Sequence, residues 1–423
     1  MITTEPDEAP EPPQKVDVLV YGSALAQLTV ALECVSVGLS VVILKPEKEL
    51  LENTFLASQL DPDGVVADLI EKVARPLKET EQPEISAKKT PPPQLYARVK
   101  NKWLATEPAS VYGIPSSPLA SQNSALLGLG GAFRAYLDRL KPVLTIGKTR
   151  VVADLVHPRV GQKVLHRLVT PQLRHKYGFS SNEVDVAVVM PGLNETITRT
   201  GSLTGAVLAY AERYETLESK VEPDCGWATF ATQMLNKITL LGGIVTSHGE
   251  QEYEARALVK TKIRSDGLKR AHAIAEIDTR QDFKDNSLAT TAWHDDNGQW
   301  FSAAIFAEAE QSALEVRSET SDAPQAISDE VVQEALNRTA ATLIADKQII
   351  RFVADAEPAT ETQAQALEAS LNIDGLSGQT DEPLTVECLI DTSELGLSRS
   401  IRDATTQAVL LRRRLLGISI TQP

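Results

Sequence analysis

Cysteine, histidine and long apolar runs are all scarce in this sequence. It has three cysteines, widely spaced and odd in number, and six histidines that do not fall at metal-ligand spacings. The pattern gives no disulfide framework and predicts no metal site, which is typical of a protein in a reducing cytoplasm. No apolar run reaches the roughly 18–20 residues of a membrane-spanning helix, so we expect no transmembrane segment.

Positively charged residues are fewer than negatively charged ones. Lys and Arg number 42 against 57 Asp and Glu, a formal net charge of -15. Such a surface repels phosphates, which excludes a general nucleic-acid partner and argues against an anionic membrane surface. Residues 1–14, MITTEPDEAPEPPQ, are acidic and proline-rich, which predicts a disordered tail and no signal peptide. The remaining composition is that of an ordinary globular chain long enough for two or three domains.

What the sequence does contain is a strand–turn–helix–strand pattern over Val16–Pro46. A valine-rich strand leads to a turn at Gly22, and a helix runs from about Ser23 to near Gly38. The apolar strand Val41–Leu44 follows. This is the first βαβ unit of a dinucleotide-binding domain.

The ligand-binding residues of that unit are altered. The fingerprint G-x-G-x-x-G asks for three glycines and then an acid at the end of the second strand. Only Gly22 is kept, followed by Ser23. Ala24 adds a methyl group where the backbone approaches a pyrophosphate, and Gln27 replaces the glycine that lets helix and strand pack closely. Lys45 replaces the acid and cannot accept a hydrogen bond from ribose, although a lysine there leaves NADP open through its 2′-phosphate.

We expect Gln27 to compensate for the missing ligand. It lies one helical turn into the helix, so its amide can lie across the turn and bond the free N–H groups at the helix start. Lys45, at the end of the adjacent strand, is expected to reach the same crevice. Gln27 and Lys45 are therefore predicted to occupy the space of a cofactor's phosphates and ribose.

The rest of the chain alternates between strand and helix patterns. Leu126, Leu129, Phe133, Tyr136, Leu137 and Leu140 recur at helical spacing. Further predicted elements are the hairpin Gln94–Leu104, a helix or helix pair over Thr149–Val169 ending before Pro171, the strands Ala255–Arg264 and Ala271–Ile277, the helix Val331–Asp346, the strand Leu384–Ile390 and the helix Ser400–Leu416.

Several stretches match the motifs of one family in their order along the chain. They are the βαβ unit, Gly113-Ile114-Pro115, AFRAYL at 132–137, VADLVHPRVGQKVLHRLVTPQLRHKYGFSSNEV at 152–184, Cys225-Gly226-Trp227 with Gly242-Gly243, and Thr385–Leu416. Together they resemble the oxygen-dependent protoporphyrinogen/coproporphyrinogen oxidases of the amine-oxidase-like flavoproteins. The resemblance covers about two-thirds of the chain, and its helical middle block is the specific part.

The resemblance implies a fold and a cofactor site. The expected fold is α/β: a discontinuous Rossmann-like FAD/NAD(P)-binding domain from residues 15–80, 220–285 and 384–420, a substrate-type β-sheet domain from 94–105 and 286–380, and a helical cap from 110–215. The implied cofactor is FAD. The positions that would meet it, all departing from the family pattern or keeping only part of it, are Gly22, Ser23, Ala24, Gln27, Lys45 and Gly396.

Three hypotheses on function stay open. The first is a divergent relative with lost or weakened FAD binding that acts by binding a tetrapyrrole, another small molecule, a protein partner or a second copy. The others are an active FAD-dependent porphyrinogen oxidase of haem biosynthesis and an NADP-binding oxidoreductase. No catalytic side chain is predicted, because in such enzymes the flavin carries the hydride chemistry. The simultaneous loss of several flavin contacts favours the first hypothesis.

Overall fold

The computed structural model describes residues 13–44, 59–76, 85–100, 102–141, 149–247, 253–263, 269–277, 283, 286–294, 300–307, 312–318, 349–358, 383–390 and 396–417. These residues fall into two compact units. The first unit is drawn from Met1–Thr90, Lys220–Arg264 and Ser370–Pro423, and the second from Pro91–Ser219 and Ser265–Ala369.

The described strands are, in chain order, β1 (Gln14–Tyr21), β2 (Val41–Leu44), β3 (Gln59–Leu60), β4 (Ala87–Thr90), β5 (Gln94–Val99), β6 (Lys102–Ala105), β7 (Lys220–Pro223), β8 (Ile244–Thr246), β9 (Tyr253–Ile263), β10 (Lys269–Ile277), β11 (Ser287–His294), β12 (Trp300–Ala307), β13 (Ser312–Ser318), β14 (Ile349–Pro358) and β15 (Leu384–Ile390).

The described helices are α1 (Leu25–Val35), α2 (Val65–Ala74), α3 (Ser121–Tyr136), α4 (Val152–Val160), α5 (Gln162–Val164), α6 (Thr170–Tyr177), α7 (Val186–Val189), α8 (Leu193–Thr200), α9 (Leu203–Glu218), α10 (Trp227–Leu240) and α11 (Gly396–Leu415). A 3₁₀ turn, Leu137–Leu140, continues α3, and a π-helical turn, Leu165–Val169, lies between α5 and α6.

The first unit is built on a five-stranded sheet in the order β15-β9-β1-β2-β8, in which every pairing is parallel. Its central strand β1 is a near-continuous apolar run, as expected for a strand covered on both faces. The helices α1, α2, α10 and α11 share one apolar core with this sheet. The predicted α/β class, with a parallel sheet and packed helices, is confirmed.

Both ends of the chain enter this sheet. Strand β15 pairs with β9, and β9 pairs with β1 in the register Val20↔Val259. The first unit also has a small antiparallel sheet, β3-β7-β4. Because β1 begins at Gln14, the predicted tail of residues 1–14 reaches into the strand; residues 1–12 lie outside the described part.

The second unit holds a seven-stranded sheet in the order β14-β10-β13-β12-β11-β5-β6, antiparallel except between β5 and β11. The helices α3 to α9 belong to the same unit, so the sheet and the helical block that the sequence divided into two domains cluster together. Strand β10 lies in this antiparallel sheet, although the sequence assigned residues 220–285 to the dinucleotide-binding domain. The sequence pattern predicted a strand there but not its partner strands, because strand propensity alone does not select a partner.

The helical block departs from prediction at Pro171. The expected helix end there is wrong, because α6 continues through Pro171 to Tyr177. A proline lacks the N–H for an i→i−4 bond, and the π-helical turn just before it changes the bonding so that the helix is not broken. The predicted helix Val331–Asp346 lies outside the described residues.

Candidate functional site

The candidate site is the turn between β1 and α1. Because all five strands of the sheet are parallel, this turn lies at the edge formed by their carboxyl ends. In open α/β sheets ligands bind at that edge. Gly22 makes the turn with φ +114°, a conformation that favours glycine, and its N–H donates to the Leu44 carbonyl at 3.0 Å.

The Gln27 side chain closes this turn from inside. It is only 1% exposed. Its Oε1 accepts a hydrogen bond from the Ala24 N–H at 3.2 Å, and its Nε2 donates to the Tyr21 carbonyl. Ala24 is the N-cap of α1 and has no side-chain oxygen, so Gln27, three residues on, supplies the acceptor at this helix start. The hydrogen bond expected of Gln27 at the start of α1 is present.

The one retained glycine has a local explanation. A Cβ built on Gly22 would lie 2.7 Å from Oε1 of Gln27, closer than side-chain packing allows. A residue with a Cβ at position 22 would therefore have to displace the Gln27 amide and adopt an unfavourable φ, whether or not a ligand approaches.

Other donors at the start of α1 are not used by Gln27. The Ser23 hydroxyl is buried and has no hydrogen-bond partner among the described residues. The N–H groups of Leu25 and Ala26 are also buried in the first turn of α1, and no described residue accepts from them. These atoms could still meet an anion.

The start of α2, in the same unit, is closed by a carboxylate. Asp61 is buried and accepts from the N–H groups of Val66 at 3.1 Å and Ala67 at 2.9 Å. The Ser398 hydroxyl, in the first turn of α11, lies 3.5 Å from Asp61 Oδ1. Sequence reasoning missed Asp61; the only signal was an acid shortly before a helix, which suits the helix dipole.

A second buried acid, Glu33, joins three helices of the first unit. Its carboxylate pairs with Lys72 of α2 and with Arg412 of α11, the latter at 2.7 Å. Arg412 also donates to the Glu33 carbonyl at 3.2 Å. This cluster fixes α1 against α2 and α11. Nothing in the local sequence predicted it, because its members lie far apart in the chain.

The two buried cysteines of the first unit do not supply a nucleophile. Cys34 lies on α1 and Cys388 on β15, and burial raises the pKa of each thiol to about 12. Neither is a thiolate at neutral pH, and the thiolate is the reactive form. Among the described residues no group of three or more His, Cys, Asp or Glu is placed to hold a metal ion.

A buried polar cluster in the second unit is fully paired. Tyr112, which adopts φ +47°, donates to Glu218 at 2.6 Å and lies 2.9 Å from the Tyr177 hydroxyl. Lys176 pairs with the other oxygen of Glu218. The ring of Tyr214 packs edge-on against that of Tyr112, and burial, followed by the nearby Glu218 charge, raises the pKa of Tyr214 well above its ordinary value. The cluster holds the turn that contains Gly113, and we assign it a structural role.

The predicted site residues have different outcomes. Gly22, Ser23, Ala24 and Gln27 come together in the one turn just described. Gly396 begins α11, the helix after β15. Lys45 lies outside the described residues, so its predicted approach to the crevice, and the NADP hypothesis that depends on it, stay predictions.

Comparison with known proteins identifies the fold. No protein-family model matches the sequence, and no curated protein sequence matches it. Among solved structures, the chain is similar to a protein from Exiguobacterium sp. 255-15 provisionally named protoporphyrinogen oxidase. The TM-score is 0.64 and the identity 13%, covering 95% of this chain and 99% of that one. For an oxidoreductase from Methanosarcina mazei the TM-score is 0.52 and the identity 9%, covering 94% and 100%.

At these identities the likeness concerns the fold alone. The chain shares the α/β fold of these two proteins, with a Rossmann-like parallel sheet and packed helices. None of the helices in the described ranges has the length and apolar character needed to cross a membrane.

Proposed function

We propose that this protein uses the fold of FAD-dependent oxidoreductases without holding a flavin at the β1–α1 turn, and that it acts by binding a ligand or partner. The observation that carries the proposal is the Gln27 amide, buried across the turn between Tyr21 and Ala24. Loss of the flavin would remove the redox reaction, because the cofactor supplies that chemistry.

The turn as it stands does not fit a pyrophosphate. Such a group binds to backbone N–H groups at a helix start, where glycines allow close approach. Here the Ala24 N–H is already bonded to Gln27, and the Ala24 methyl group stands where the second glycine would be. For a pyrophosphate to enter, the Gln27 side chain would have to leave. Its two hydrogen bonds would then be lost and the Tyr21 carbonyl would lose this donor.

We infer a tetrapyrrole as the ligand class. The sequence resemblance to the porphyrinogen oxidases supports it, and that resemblance is strongest in the helical block of the second unit. A relative that binds the substrate class without oxidising it would be a pseudoenzyme of haem metabolism. Its side chains would position the tetrapyrrole and exclude water, with no residue of this chain required to move a proton.

A second candidate is an active FAD-dependent porphyrinogen oxidase. The buried Ser23 hydroxyl and the N–H groups of Leu25 and Ala26 favour it, because they remain as donors at the start of α1. A flavin pyrophosphate that displaced Gln27 would find these donors in place. This candidate requires the Gln27 side chain to adopt another rotamer.

Two measurements on the purified protein separate the candidates. The visible absorbance spectrum reports bound flavin, and a titration with coproporphyrin reports ligand binding through a shift of the Soret band. We expect no flavin band, a Soret shift, and, as a control, no acceleration of the oxidation of the corresponding porphyrinogen over its spontaneous rate in air. Near-stoichiometric flavin absorbance would contradict the proposal and support the oxidase, whereas absence of both signals would reject the tetrapyrrole.

A further inference from the structure

Three buried donors lie together at the start of α1 without an acceptor among the described residues. They are the Ser23 hydroxyl and the N–H groups of Leu25 and Ala26. Ser23 is 3% exposed, Leu25 2% and Ala26 3%, so solvent hardly reaches these atoms. Buried donors without a partner are rare in folded proteins, because the hydrogen bonds that they lose to water are not replaced. Three of them within four residues indicate that an acceptor binds there.

The position of these donors favours a negative acceptor. The first N–H groups of an α-helix point out of its N-terminal end, where the helix dipole adds partial positive charge. Ala24 is the cap of α1, and Ser23 directly precedes it in the segment that these N–H groups face. The first turn of α1, which the structure describes in full, contains no acidic residue. The start of α1 therefore combines hydrogen-bond donors with positive electrostatic potential.

The Gln27 amide limits the size of what can bind. Its Oε1 accepts from the Ala24 N–H, and its Nε2 donates to the Tyr21 carbonyl. The amide also lies so close to Gly22 that a Cβ there would be 2.7 Å from Oε1. A pyrophosphate spans this turn and would displace the amide. An ion of atomic size can meet the remaining donors with Gln27 in place.

The number of donors decides between a water molecule and an anion. A buried water molecule brings two donors of its own, which need acceptors in turn. Two carbonyls of this turn are already used, since that of Tyr21 receives Gln27 Nε2 and that of Ala24 receives the Leu28 N–H at 2.9 Å. An anion accepts from all three donors and brings none, so it satisfies this site better.

We propose that the start of α1 binds a monatomic anion of the chloride type, held by the Ser23 hydroxyl and by the N–H groups of Leu25 and Ala26. The ion satisfies the donors that Gln27 does not use, and the two together complete the turn without a dinucleotide. This inference rests on the part of the proposed function that leaves the turn without a flavin, and it adds a ligand for that turn.

Thermal unfolding at constant ionic strength measures the effect of the ion. Sodium gluconate is replaced stepwise by sodium chloride up to about 200 mM, so that screening of the net charge of -15 stays the same. We expect Tm to rise by about 2 °C or more and then to level off, because an ion that binds only the folded state stabilises it. Sodium phosphate at the same ionic strength should have a smaller effect, since its ion is larger.

Ser23→Ala gives the sharpest readout. In gluconate the variant should be at least as stable as the wild type, because the hydroxyl that it removes is buried without a described partner. In chloride it should be the less stable protein and should lose at least about half of the rise in Tm. A serine with a merely structural role would not reverse the order of stability when the anion changes.

Ser36→Ala is the matched control. Ser36 is exposed at the other end of the same helix, and its hydroxyl donates to the Glu33 carbonyl at 2.9 Å. This variant should keep the full response to chloride.

Bromide, which scatters X-rays anomalously, locates the ion. Wild-type crystals soaked in sodium bromide should show an anomalous peak within hydrogen-bonding distance of the Ser23 hydroxyl. Crystals of Ser23→Ala should show a weaker peak there or none.

Several results would overturn the proposal. They are a Tm that does not respond to chloride, an undiminished response in Ser23→Ala, and a stronger response to phosphate. A bromide peak without a chloride-dependent Tm would show an adventitious ion only. The visible absorbance of the same preparation separates this test from the proposed function: a colourless protein that ignores chloride contradicts the anion alone, whereas bound flavin contradicts both.

Discussion

Two helices of the first unit begin in buried surroundings and close their starts in different ways. At α1 a neutral amide, Gln27, reaches back from the first turn of the helix to the Ala24 N–H. At α2 a carboxylate, Asp61, reaches forward from the preceding loop to two N–H groups. Both satisfy backbone donors that a helix start leaves without intrahelical partners.

The difference shows which helix start can still take a ligand. Asp61 supplies both the acceptors and the negative charge that favour a helix N-terminus, so α2 is complete by itself. Gln27 supplies one acceptor and no charge, and the buried Ser23 hydroxyl has no partner among the described residues. The start of α1 is therefore the less completely closed of the two. Of these two helix starts, only α1 remains a candidate ligand site.

The largest effect that sharpens this comparison is expected at Asp61. Asp61→Ala removes a buried carboxylate that accepts two backbone hydrogen bonds, so the free energy of unfolding should fall by about 2–3 kcal/mol. Urea denaturation followed by circular dichroism measures it. Asp63→Ala is the control. Asp63 pairs with Arg402 at 2.6 Å with both side chains nearly half exposed, so the loss there should be less than about 0.5 kcal/mol. Equal losses in both variants would contradict the role of Asp61.

A smaller effect is expected at Gln27. Gln27→Met keeps a side chain of similar length but makes no hydrogen bonds, and should lower the free energy of unfolding by about 1–2 kcal/mol. The same denaturation experiment measures it, with the exposed Gln122→Met as control. A Gln27→Met protein as stable as the wild type would show that the amide bonds do not hold the turn, and the contrast with Asp61 would no longer stand.

The smallest effect is expected at the opposite end of β1, where Asp17 forms an ion pair with Arg256. Burial alone would raise the pKa of Asp17, but hydrogen bonds from Ser40 and Arg256 outweigh it and hold that pKa below its ordinary value. Since the folded-state pKa is the lower one, Asp17 stabilises the fold above about pH 4, and this contribution is lost as the pH falls through the folded-state pKa.

The gap in unfolding free energy between wild type and Asp17→Asn should be less than about 1 kcal/mol at neutral pH and should shrink below about pH 4. Glu254→Gln is the control, because the Lys15–Glu254 pair is 3.7 Å apart and largely exposed. A gap that stays constant down to pH 2 would contradict the assignment.

The βαβ unit over Val16–Pro46 was the part of the fold that could best be predicted from the sequence. Its strands and helix follow from the apolar pattern of a few dozen residues, so Val41–Leu44 matches the structure to the residue. Helix α1 begins at Leu25 and not at Ser23, because the Gln27 amide makes Ala24 the cap. That hydrogen bond was itself predictable, since it depends only on spacing within one helical turn.

Long-range contacts were not predictable in the same way. Asp61 and Glu33 act on elements far away in sequence, and a single sequence carries no signal for such partners. Helix α3 shows a second limit. Leu129, Phe133 and Leu140 were recognised as helical from their spacing, yet spacing does not say which face is buried once Gly128 breaks the helix. Only the packed structure shows that the alanines face inward.

Gln27 and Ala24 are proposed to exclude FAD from the β1–α1 turn, and the sequence predicts that Lys45 contributes. The direct measurement is the FAD dissociation constant of the wild type and of the triple variant Ala24→Gly, Gln27→Gly, Lys45→Glu, followed by quenching of flavin fluorescence. The account predicts a colourless wild type and a triple variant that binds FAD at least about tenfold more tightly, while Gln27→Met stays like the wild type. A wild type that purifies with near-stoichiometric flavin, or a folded triple variant that gains no affinity, would contradict it.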